Sequence, residues 1–233
     1  MISVDSPLKK LSARTDRKQA MIFDGIRHSA QIASFAYLRL RETLTVLALN
    51  ELSRDELDAH ITAAFLDAWT SVDAADRFKS LWQLTKSKNS KDKELELKLQ
   101  SIRDLRNVTD HLAQRIDYVV SKRNAALGSL SWITITNADS CEGLVCAIVP
   151  GTLRNNKLEI QYPKGKTFEI PTGRIFLDAG EYSACLCDVL VHIENRIRKL
   201  EKVILEGNME HPEDEEYAAS DSLFKAVVKF NID

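Results

Sequence analysis

Arg106, Asn107 and His111 are the residues of this chain whose types and spacing could do chemistry, and the chemistry they suit is that of phosphate. Arginine carries a permanent charge on a planar fork that fits phosphoryl oxygens in pairs. Histidine changes charge near neutral pH and can take or give a proton. Asparagine, one helical turn before the histidine, can hydrogen-bond either group and fix its orientation. The segment Arg106-Asn107-Val108-Thr109-Asp110-His111 sits inside a strongly amphipathic run. At 3.6 residues per turn, Leu105, Val108, Leu112, Ile116 and Val119 share one face, which must be the buried one. The opposite face carries Arg103, Arg106, Asn107, Asp110, His111, Gln114 and Asp117. Arg106 and His111 are separated by about 140° around a regular helix, so they emerge on opposite flanks of that face. Two copies paired about a twofold axis, with these helices antiparallel, would bring Arg106 towards the partner subunit's His111. A homodimer is therefore expected.

The elements that must position these residues are mostly helical. Residues 1–18 read as a basic mobile arm. Residues 19–50 form a long helix whose apolar residues, among them Met21, Ile26, Ile32, Phe35, Leu40 and Leu44, recur on more than one face, as in a bundle. Ser53 and Glu56 match a capping box that opens a second helix through Phe65, Trp69, Phe78 and Trp82, with a possible bend near Thr70-Ser71. A polar stretch, 86–90, precedes the helix that carries the motif, expected from about Lys91 to Asn124 and supported early by a Glu94–Lys98 pair. The period then changes to two. Residues 132–136, 144–149, 158–162 and 168–170 read as the short strands of a three- to four-stranded β-meander inserted at 131–178. A fourth helix runs from about Glu181 to Leu205, with Cys185, Val189, Ile193, Ile197, Leu200 and Ile204 inward. Residues 208–233 comprise an acidic linker and a short amphipathic helix over 218–230, with Leu223, Phe224, Val227 and Val228 inward. The fold class expected is mainly α: an antiparallel four-helix bundle over 19–207 with the meander inserted in it.

Composition narrows the function classes. Lys and Arg total 32 against 34 Asp and Glu, so no global basic excess announces a polyanionic partner and any phosphate site must be local. No long apolar run or signal-peptide core is present, which leads to the expectation of a soluble cytoplasmic chain. The sequence lacks a Gly-rich phosphate loop, His-Glu-x-x-His, Gly-x-Ser-x-Gly and carboxylates at metal-ligand spacing, so neither a metal nor a cofactor is expected. Cys141 and Cys146 fall in a strand region. Cys185 and Cys187 fall two apart in a helix, where side chains point to nearly opposite sides. All four cysteines read as structural thiols. His28, His60, His192 and His211 are isolated and receive no role.

A helical bundle with Arg-Asn-x-x-x-His on its third helix resembles the HEPN superfamily, many of whose members are RNases. Arg106, Asn107 and His111 match the family motif of arginine, a polar residue and a histidine after four to six intervening positions. Asp104-Leu105-Arg106-Asn107, Gln114-Arg115-Ile116-Asp117 and the second-helix segment from Ala68 to Phe78 are also similar to the family. The resemblance covers roughly residues 19–124 and the last long helix, whereas the meander and acidic tail depart from a minimal bundle. It implies a composite cleft at a dimer interface and a metal-independent endoribonuclease, a toxin or antiviral effector held in check by a cognate antitoxin or other regulatory protein. In that role His111 serves as base or acid, Arg106 stabilises charge on the phosphorus, Asn107 orients, and Arg103 and Arg115 bind RNA. The products would be a 2′,3′-cyclic phosphate and a 5′-hydroxyl. The alternative is a noncatalytic helical module that binds nucleic acid, a nucleotide or a partner protein through the same face. A third possibility is a scaffold for a partner of the acidic tail.

Overall fold

Helix α1 (Arg17–Leu49) begins where the Asp16 carboxylate accepts the Gln19 amide at 3.2 Å. Along it Phe23, Ile26, Ala30, Ala33, Tyr37, Leu40 and Leu44 are buried, at spacings that alternate three and four. That is the seam of a helix packed lengthwise on another. Met21, Ile32 and Phe35, also apolar, fall outside the seam and are exposed. Helix α2 (Arg54–Trp82) opens with the expected capping box: the Ser53 hydroxyl accepts the Glu56 amide and the Glu56 carboxylate accepts the Ser53 amide. It continues through Thr70-Ser71 as one helix. Its buried stripe, Ala64, Ala68, Ser71, Ala75 and Phe78, is mostly small, so the four-residue connection from α1 returns the chain into a close helical hairpin. The computed structural model describes residues 2–85, 99–114, 117, 125–140, 142–151, 169–209, 217–219 and 221–227.

Helix α3 (Gln100–Asp110) buries Ile102, Leu105 and Val108 and is followed by a 3-10 turn at Leu112–Gln114. A four-stranded antiparallel sheet comes next in space, formed by β2 (Ser129–Asn137), β3 (Glu142–Ile148), β4 (Thr172–Ala179) and β5 (Tyr182–Cys185), in the order β3-β2-β4-β5. Helix α4 (Leu186–Met209) follows β5 without a break and buries Val189, Ile193, Ile197 and Leu200. At the start of β2, Gly128 has φ +77°, and a Cβ there would stand 2.1 Å from the Asp178 carbonyl oxygen, so only glycine fits.

The sheet is part of the core. Leu130, Trp132, Ile175, Leu177, Ala179 and Ala184 belong to the same buried cluster as the α1, α2 and α4 seams. A chain of hydroxyls ties the sheet to α1: the Trp132 indole donates to Thr134 at 3.2 Å, and Thr172 lies 2.8 Å from both Thr134 and Thr45. Satisfied in this way, the buried hydroxyls of Thr134 and Thr172 are tolerated in an apolar layer.

The expected fold class, a mainly α four-helix bundle with an inserted meander and a short C-terminal helix, is corrected by this arrangement. The described fold is α+β: a helical hairpin, a short α3 and a long α4 share one core with an antiparallel sheet. The sheet is not a plain meander, because β2 lies between β3 and β4. Its second pair of strands, β4 and β5, comes later than the expected 158–162 and 168–170, most of which lie outside the described residues. Consequently the fourth helix starts at Leu186 rather than Glu181. The expected C-terminal helix is absent from the described tail. Tyr217–Ala219 is a strand (β6) paired with β1 (Leu11–Ser12), and 221–227 is irregular with Leu223, Phe224 and Val227 exposed. An apolar spacing of helical period makes no helix when no surface receives it.

The basic arm is also anchored. Pro7–Lys9 forms a 3-10 turn, Leu8 and Leu11 are buried in the core, and the Ser6 hydroxyl donates to Glu201 of α4 at 2.5 Å. Two buried leucines outweigh the basic composition that suggested mobility, since each is worth about 2 kcal/mol when removed from water.

Candidate functional site

Burial of Ile102, Leu105 and Val108 orients the rest of α3. Arg103 and Arg106 lie one turn apart and both reach Asp76, a buried carboxylate of α2. Arg106 Nη1 donates to Asp76 Oδ2 at 2.7 Å, and Arg103 Nε donates to Asp76 Oδ1 at 3.2 Å. Arg103 Nη2 also donates to the Ser80 hydroxyl at 3.1 Å. The Arg106 Nε atom lies 3.3 Å from the carboxylates of both Asp73 and Asp110. Arg106 thus faces three carboxylates, and its side chain is 41% exposed. The hydrogen bond to Asp76 raises its pKa above the ordinary arginine value, and the charges of Asp110, Asp76 and Asp73 add to this. Burial pushes the Asp73 carboxyl up while Arg106 draws it down.

The other motif residues sit further along. Asn107 is exposed. His111 is the C-cap of α3, exposed, with its Nδ1 hydrogen-bonded at 3.1 Å to Gln114 Oε1 in the following turn. The structure therefore joins Arg106 and Arg103 to one another through Asp76 and joins His111 to Gln114, without joining the two ends of the motif. The α-helix breaks after Asp110, and Gln114 reaches the histidine through a 3-10 turn; of the expected continuation from 115 to 124 only Asp117, which is helical, lies within the described residues. Arg115, expected to bind RNA, lies outside the described residues.

Asp73 and Asp76 are the residues that sequence reasoning left without a role. A signal was available: Asp76 follows Ala74 and Ala75 on the α2 stripe that also carries Val72 and Phe78, and an acid on an apolar face requires a cationic partner.

Two further clusters hold charged groups. In the first, Arg27 of α1 is 2% exposed and donates to Asp24 at 2.6 Å and, through both terminal nitrogens, to Asp221 of the tail at 2.6 and 3.0 Å. In the second, the buried Tyr37 hydroxyl donates to Glu169 Oε2 at 2.5 Å, with Arg41 Nε 3.6 Å from the same oxygen. Burial, with that hydrogen bond, pushes the Tyr37 pKa up, so it stays a neutral donor. Among the described residues two sets bring three potential ligand atoms within 4.8 Å of one another, Cys185-Cys187-Asp188 and Asp24-His28-Asp221. In each set the carboxylates are already held by an arginine, Arg174 and Arg27 respectively, which opposes a cation there.

The sequence expectation for Cys185 and Cys187 is corrected. Their sulfurs lie 2.8 Å apart, because Cys185 ends β5 and Cys187 lies in the first turn of α4. Residues two apart share a face in extended chain and oppose each other only in a helix.

No protein-family model, curated protein or solved structure matches the chain. The likeness to the HEPN superfamily accordingly rests on Arg106, Asn107, His111 and their setting. Among the described residues no helix is long and apolar enough to cross a membrane.

Proposed function

We propose that the chain is a HEPN-like, metal-independent endoribonuclease acting in the cytoplasm as a homodimer. The observation that supports this reading is the partly exposed Arg106 side chain, held in place by Asp76 on the polar face of α3 that also presents Asn107 and ends at His111. A guanidinium fixed in advance loses little freedom when it meets a phosphate, which is how a preorganised cation lowers a barrier. His111 takes the 2′-hydroxyl proton or protonates the departing 5′-oxygen, Arg106 stabilises the charge gathering on the phosphoryl oxygens, and Asn107 holds substrate or imidazole in line. A second copy supplies the missing half of each site, and Arg103 contributes to the phosphate field. An activity of this kind fits a toxin or antiviral effector restrained by a cognate antitoxin or regulatory protein.

A second reading is favoured by a specific feature: Asp73, Asp76 and Asp110 already occupy Arg106 and would repel a polyanion. On that reading the same face is a noncatalytic binding surface for nucleic acid, a nucleotide or a protein.

Incubation of the purified chain with mixed cellular RNA in EDTA separates the two. The enzyme yields fragments with 5′-hydroxyl ends and 2′,3′-cyclic phosphates. Arg106→Ala and His111→Ala each lose that cleavage while folding and dimerisation persist. Intact RNA from folded, dimeric wild type would overturn the enzymatic reading. In the binding module His111→Ala changes affinity little, whereas removing Arg103, Arg106 and Arg115 together weakens nucleic-acid binding and flattens its salt dependence.

A further inference from the structure

Around the Cys185–Cys187 contact the structure builds a confined thiol environment. Cys185, whose residue pairs with Phe176 across β4 and β5, is partly exposed; Cys187 is buried. The contact with Cys187 and burial push the Cys185 thiol up, and the backbone at Asp188 draws it part of the way back. Arg174 stands beside the pair at φ +51°, its side chain stacked 5.4 Å over the Phe176 ring and its Nη1 3.1 Å from Asp188 Oδ1. The two sulfurs are closer than unbonded sulfurs ordinarily rest, yet beyond the about 2.05 Å of a disulfide.

We propose that Cys185 and Cys187 form a reversible dithiol–disulfide site that is oxidised by small disulfides of the glutathione type. Cys185 Sγ, the accessible sulfur, attacks one sulfur of the small disulfide, forming a mixed disulfide and expelling a thiolate that takes the Cys185 proton. Cys187 Sγ then attacks Cys185 Sγ, breaking the mixed bond and releasing the second small thiol, which takes up a proton. Two protein thiols are oxidised, one small disulfide is reduced to two thiols, and a protein disulfide closes. The buried sulfur suits the second step: once Cys185 is in the mixed disulfide, the Arg174 charge still favours the Cys187 thiolate, and burial keeps external disulfides away from it. Closure would clamp the end of β5 to the first turn of α4.

Both cysteines fall in one tryptic peptide, Ile175–Arg196, separate from Cys141 and Cys146, which makes the test direct. The full-length reduced protein is equilibrated in glutathione buffers from reducing to oxidising, quenched in acid, alkylated, digested and weighed. The expected result is a peptide with two alkyl tags under reducing conditions. Under oxidising conditions the same peptide carries neither tag nor glutathione and lacks two hydrogens, while Cys146 stays tagged. Folded protein should close the ring at a glutathione disulfide-to-thiol ratio at least about tenfold lower than the chain in denaturant, since the fold holds the sulfurs together. Cys187→Ser should arrest at a glutathione adduct on Cys185, and Cys185→Ser should leave Cys187 unmodified. Persistence of both tags in oxidising buffer, an adduct on wild type that never closes, or equal closure in denaturant would each overturn the proposal.

Discussion

Arg27 and Arg106 are the same side chain in nearly the same company, and they differ in what surrounds the company. Each is held by aspartates from its own helix and from a second segment: Asp24 and Asp221 for Arg27, Asp110 with Asp73 and Asp76 for Arg106. Arg27 is 2% exposed and its partners lie outward at 39% and 62%, so the cation is buried and the anions are wet. At Arg106 the order is reversed: Asp76 is 3% exposed and the Arg106 side chain 41%. A buried cation that gathers anions from solvent is a clamp, here fastening the tail to α1. A buried anion that holds cations outward is a mount, and leaves the guanidinium edges within reach of a further ligand.

The contrast can be broken experimentally, most severely at the clamp. Arg27→Met should cost about 3 kcal/mol in urea unfolding, towards the low end for a buried pair because the freed aspartates rehydrate. It should also make residues 221–227 sensitive to protease. A loss below about 1 kcal/mol would mean that the guanidinium is not what holds the tail. Asp76→Asn should cost less, about 1–2 kcal/mol, because the two arginines it releases are half exposed and find water. Its sharper effect bears on the proposed endoribonuclease: if the chain cleaves RNA as proposed, freeing Arg106 from its anchor should lower that cleavage several-fold even as RNA binding tightens. Unchanged cleavage would show that the mount is dispensable.

A pH titration sharpens the difference further. The hydrogen bond from Arg27 holds the Asp221 carboxyl below its ordinary value of 3.8. A depressed carboxyl contributes stability above the unfolded value, and that contribution is lost as pH falls through the lower folded value. Tail protection, followed by protease sensitivity or amide exchange, should therefore hold at about pH 5 and decline below about pH 4, selectively in wild type and not in Asp221→Asn. The smallest effect is expected at the rim of the mount, where Asp110→Asn should change stability by no more than about 0.5 kcal/mol, since that pair is exposed and Asp76 still holds Arg106.

Much of this was legible in the residues. The helical character of α1 and α2, the capping box at Ser53 and Glu56, the buried face of α3 and, up to Ile148, the strand character of 132–136 and 144–149 follow from local period and local chemistry. Places where the chain changes period were harder. Cys185 reads as helical because Val189, Ile193 and Ile197 follow it at helical spacing, yet its backbone belongs to β5, and one residue of boundary reverses the geometry of the thiol pair. At the tail, Leu223, Phe224 and Val227 are spaced for a helix whose docking surface the described fold does not supply. At the candidate site, the flank of Arg106 was visible but its anchor was not, because Asp76 is 30 residues away in the chain.

By itself the sequence determined which segments of the hairpin are helical and which face of α3 turns inward, because period and capping act over a few residues. It also determined that Arg106, Asn107 and His111 stand on one polar face, with Arg106 and His111 on its opposite flanks. Only the tertiary structure decided that the sheet shares the helical core, that Asp76 orients Arg106, that Arg27 fastens the tail, and that two cysteines meet. Each of these depends on side chains from different elements arriving at one place, and a local pattern carries no record of what lies across the interface.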